Sequence, residues 1–104
     1  MNISKKARLS MSQFLDIFTK DKVDILMNKF DFTYKDEDGN DIPVFETGLP
    51  VDKIMLETSD ESILDLYDEI KTTCSYLKNI SQVNEKAFED RFNDLKKYFE
   101  DNYF

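Results

Sequence analysis

The amino-acid sequence predicts a mostly helical α+β domain, and three observations carry that class. Apolar residues recur at helical spacing over both ends of the chain. The apolar period shortens to two between Phe30 and Tyr34. All four Gly and Pro residues (Gly39, Pro43, Gly48, Pro50) fall in one central stretch. Glycine and proline interrupt regular structure, so the irregular backbone is expected in the middle with helices on either side. At 104 residues the chain is the size of one domain, and 40 % apolar residues with nine Phe suffice for a packed interior.

Residues 1–9 contain Lys5, Lys6 and Arg8 and are read as a flexible basic tail, leaving 10–104 as the single compact domain. No apolar h-region follows those cations, so an export signal is not expected. Ser10-Met11-Ser12-Gln13 has the form of a capping box and opens a helix with Phe14, Leu15 and Phe18 on one face. Thr19 is a second candidate cap, after which Val23, Leu26, Met27 and Phe30 repeat at helical spacing. The pattern over 11–30 fits one kinked helix or two short ones.

Phe30, Phe32 and Tyr34 then alternate with Asp31 and Thr33, as in a half-buried strand. The acidic turn Asp36-Glu37-Asp38-Gly39-Asn40 and the apolar Ile42-Pro43-Val44-Phe45 complete a small central β-hairpin. Pro43 cannot donate to a ladder, which puts the second strand at an edge. Lys53-Ile54-Met55-Leu56-Glu57 is the candidate third short strand. Thr58-Ser59-Asp60-Glu61 forms another capping box. From there Ile63, Tyr67, Ile70, Cys74 and Leu77 step along one helical seam, and Phe88, Phe92, Leu95 and Phe99 form a second. The two are read as a C-terminal antiparallel αα-hairpin joined over 79–84.

Composition excludes several chemistries. The chain has no His, which removes the commonest general base and transition-metal ligand. A single cysteine, Cys74, excludes an internal disulfide and a multi-Cys zinc site, and it suits a reducing cytoplasm. Gly39 and Gly48 are isolated, so there is no phosphate-binding glycine loop. If Gly39 is set at the glycine of a calcium loop, Tyr34 and Phe45 occupy the positions that require Asp and Glu. No catalytic set, metal site or cofactor is therefore expected. Cys74 is read as a buried structural thiol, and Tyr76, Tyr103 and Phe104 as aromatic contacts for a partner.

The net charge of −8 is unevenly placed. Residues 1–30 hold six basic and three acidic side chains (+3). Residues 31–70 hold two and thirteen (−11), and 71–104 hold six of each. An acidic centre opposes direct contact with nucleic acid and attracts a basic protein surface. The candidate partner-binding residues are Asp36, Glu37, Asp38, Asp41, Asp60, Glu61, Asp65 and Asp68. The function expected is that of a small acidic regulator or inhibitor, in a sharper version a nucleic-acid mimic facing a nucleic-acid-handling protein. The alternative is a helical assembly adaptor that uses the heptad-spaced helix pair. Both readings are compatible with a monomer or a homodimer, and neither involves a membrane. In size and charge the chain resembles phage-type inhibitors of host defence, including anti-restriction and anti-CRISPR proteins; that likeness is compositional and carries no residue over. Twelve Lys against two Arg, with eight Ile, seven Asn and two Ala, is the bias AT-rich coding leaves, as in some bacteria and their mobile elements.

Overall fold

The computed structural model describes residues 3–28, 33–35, 37–43 and 51–100. Among these there are six helices: α1 (Lys5–Leu15), α2 (Lys20–Asn28), α3 (Val51–Glu57), α4 (Asp60–Thr72), α5 (Cys74–Ile80) and α6 (Glu85–Glu100). The architecture is helical, which corrects the α+β class. The central β-hairpin is not a structural layer. What stands in the connection between α2 and α3 is a ladder of two three-residue strands, β1 (Thr33–Lys35) and β2 (Asp41–Pro43), with Tyr34 opposite Ile42. A pair this short adds no sheet for helices to pack on, and the described core lies on the helices and their adjoining turns. Gly39 sits in the turn between them at φ +84°, a conformation that costs glycine least. Phe30, Phe32, Phe45, Tyr103 and Phe104 lie outside the described residues.

Lys53–Glu57, expected as a third strand, is the body of α3 instead. Ile54 and Met55 are consecutive in sequence and both fully buried. A strand would send neighbours to opposite faces, whereas a short helix wedged against α1 can enclose both. The first nine residues also differ from the expected tail. Ser4 is the N-cap of α1, accepting a hydrogen bond from the Ala7 N–H at 3.1 Å, and the helix runs from Lys5 with Ile3 and Ala7 buried. Ser10, the expected cap, lies inside α1 and turns its hydroxyl back onto the Ala7 carbonyl at 2.6 Å. The earlier start wins because it puts Ala7, Met11, Phe14 and Leu15 on one buried face. Over the described part of 11–30 the chain forms two helices, separated at Asp16–Thr19. Thr19 Oγ1 accepts from the Lys22 N–H at 3.3 Å to open α2.

Helix α1 is the centre of the molecule, packed against α3 on one side and α6 on the other. Phe14 meets Phe18, Phe88 and Phe92 edge-on at ring separations of 5.5, 5.6 and 6.2 Å. Tyr67 of α4 stacks on Phe99 of α6 at 4.6 Å and donates its hydroxyl to Glu100 at 3.0 Å. The seam Ile63–Leu77 is broken into α4 and α5 at Thr73, where φ is −107° and ψ 20°. Thr72 and Thr73 each bond back to the carbonyl four residues earlier, at 2.8 and 2.7 Å, a pattern that bends helices. Cys74 is half-buried just past the bend. Of the described helices, none is long and apolar enough to cross a membrane.

Candidate functional site

The site is built on α4. Ser59 caps its N-terminus, accepting from the Ser62 N–H at 3.2 Å, and Asp60 and Glu61 occupy the first turn, where negative charge complements the helix dipole. Ile63, Leu66, Tyr67 and Ile70 face the core. At 3.6 residues per turn the opposite side brings Glu61, Asp65 and Asp68 into one stripe about 60° wide, and all three are exposed. Glu61 and Asp65 have no cationic partner among the described residues. Asp68 has Lys71 at 3.8 Å, and the same ammonium sits 4.8 Å over the Tyr67 ring.

Asp60 does not join this stripe. Its carboxylate pairs with the Arg8 guanidinium and accepts from the Ile3 N–H at 3.4 Å. Arg8 also donates to the carbonyls of Met55, at 2.8 Å, and Thr58, so one side chain ties α1 to the end of α3 and the start of α4. Neither residue's role is visible in the sequence, which offers only a cation near the N-terminus and an acid in a cap. Glu37 and Asp38 are exposed in the turn between β1 and β2. Asp41 begins β2, its side chain not among those described, and Asp36 lies outside the described residues. The structure therefore gathers Glu61, Asp65 and Asp68, places Glu37 and Asp38 on the acidic turn, and commits Asp60 to the fold.

Beside the stripe runs an apolar groove of about 260 Å³. One wall is Lys22, Ile25 and Leu26 of α2; the other is Glu69, Thr73, Tyr76, Leu77 and Ile80 across the α4–α5 bend. Ile25 is 68 % exposed and Tyr76 58 %. Tyr76 is legible in the sequence from its position off the seam. The sequence signal for Ile25 is that of a large aliphatic residue outside the inward repeat of Val23 and Leu26. The groove is braced from behind by Lys78 of α5, whose ammonium bonds Glu85 and Glu89 of α6 at 3.2 Å each. Those bonds, Glu89 first, raise the Lys78 pKa. Burial, followed by the hydrogen bond to Glu100, pushes the Tyr67 hydroxyl well above the usual tyrosine range. Among the described residues no three acidic or Cys side chains converge as a metal site would require. No protein-family model, curated protein or solved structure matches the chain, so the site is read from its own residues.

Proposed function

We propose that this protein binds a partner protein through the carboxylate face of α4 and so regulates or inhibits it, the partner presenting a basic surface. The observation that carries the reading is the exposed stripe Glu61–Asp65–Asp68 on a chain of net charge −8. Opposite charge on the partner speeds encounter and sets its orientation. In the sharper form the partner handles nucleic acid, and the carboxylates occupy positions its phosphate sites would otherwise fill. The reading calls on no catalytic group or cofactor and places the protein in the cytosol, where Cys74 stays reduced. A phage or mobile-element setting suits the composition. The adaptor reading has less support, because Ile63, Tyr67, Ile70, Leu77, Phe88, Leu95 and Phe99 of its two seams are buried in the core.

The test is the triple variant Glu61→Lys, Asp65→Lys, Asp68→Lys. Since none of the three faces the core, the variant should stay folded, with circular dichroism close to wild type. Wild-type protein immobilised in a host lysate at low salt should retain a basic protein that moderate salt releases. The variant should retain at least about tenfold less of it, as expected when several charge contacts are reversed. Equal recovery of the same protein on both columns overturns the reading.

A further inference from the structure

The groove and the carboxylate stripe are adjacent parts of one surface. Going round α4 at about 100° per residue, the buried residues Leu66 and Ile70 give way to Thr73 and Glu69 on the groove wall. Asp65 comes next, then Glu61 and Asp68. An occupant lying along the α4–α5 wall would set one side into the apolar groove and the other against carboxylates. Resting on the function proposed above, we infer that the groove between α2 and α5 is the docking site for a cationic amphipathic helix of the partner. Its apolar side chains would enter between Ile25 and Tyr76, and its Lys or Arg side chains would face Asp65 and Asp68.

Size and charge select this occupant. A volume of about 260 Å³ is below the usual range for a small-molecule pocket, roughly 300–1,000 Å³, and its exposed Ile25 and Tyr76 suit apolar side chains on one face of a helix. A second copy of this chain is the poorer fit, because each copy carries −8 and their stripes would meet beside the shared groove.

The probe is a fluorescently labelled synthetic peptide of about 18 residues, long enough to form helix, with Leu along one face and Lys along the other. Its control has the same composition with the Leu positions scattered. By fluorescence anisotropy at low salt, the ordered peptide should bind at least about tenfold more tightly, the scale of one or two anchor residues. Ile25→Ser combined with Tyr76→Ser, both exposed positions, should reduce it to the level of the control while circular dichroism stays unchanged. The Lys triple variant should weaken both peptides. Equal binding of the two peptides, unaffected by Ile25→Ser and Tyr76→Ser, overturns the groove and leaves the carboxylate surface standing. Insensitivity of both peptides to the Lys triple variant overturns the carboxylate surface itself. Wild-type dimer in sedimentation equilibrium, made monomeric by Ile25→Ser, overturns the inference by assigning the groove to a second copy.

Discussion

Arg8 lies on the first turn of α1 with its guanidinium set against the last carbonyls of α3 and the Asp60 carboxylate. Its side chain is 12 % exposed and that of Asp60 30 %. Arg8→Ala removes the cation facing a part-buried carboxylate together with the donor to two carbonyls, and should cost about 3 kcal/mol in a urea titration. A loss below about 1 kcal/mol, the range of exposed ion pairs, would show that the clamp contributes little. Tyr67 sets a different expectation. Its raised pKa means that the folded chain keeps the phenolic proton after the unfolded chain, near 10.0, has released it. The contribution is complete below that pH and declines as the pH rises further. Thermal midpoints should therefore fall as the pH passes about 10. Tyr67→Phe, although less stable at neutral pH through loss of the bond to Glu100, should show a flatter decline. Parallel curves would mean that Tyr67 is not the responsible group.

At the scale of elements, two serines near expected helix starts have opposite roles: Ser59 caps α4, one residue after the Thr58 that heads the expected box, while Ser10 lies inside α1. Ser59→Ala removes a working cap and should cost about 1 kcal/mol. Ser10→Ala removes a hydroxyl that only bonds back within α1 and should cost less than half as much; equal losses would contradict the observed start of α1. The helical segments were legible because their periodicity comes from burial, and the turn at Gly39 because glycine tolerates its φ. The start of α1 was not. Both Ser4 and Ser10 can cap, and the choice depends on Ala7 finding cover from other elements, which no local pattern encodes. Likewise Ile54-Met55-Leu56 is a run of apolar residues compatible with strand or helix until its contact with α1 decides. The break at Thr73 was signalled by the pair Thr72-Thr73, but the continuous heptad count hid it. At the candidate site, the α4 stripe and the off-repeat Ile25 could be read from spacing, whereas the inward turn of Asp60 and the pairing of Ile25 with Tyr76 across a groove needed tertiary placement.

For the whole molecule, the excess of carboxylates has a cost in stability. Glu61 and Asp65, exposed and four residues apart on α4, are followed by Asp68 three residues on, and like charges at those spacings repel. Screening should relieve this, so the melting temperature should rise by a few degrees between about 0.02 and 0.3 M sodium chloride. The Lys triple variant should show a smaller rise. A fall with salt in the wild type would mean that attractive surface pairs outweigh repulsion.

The central place of α1 also has a consequence in time. Its partners α3 and α6 begin some 45 and 80 residues downstream, so α1 is made well before it is covered. At ribosomal rates, Met11, Phe14 and Leu15 stay without their final neighbours for several seconds, on the order of ten for the full chain. During synthesis the nascent chain thus displays a greasy helix, and folding of these helices can close only after Phe99 has left the exit tunnel. A chain stalled in the middle of α6 would keep that face of α1 uncovered and be a substrate for chaperones and proteases.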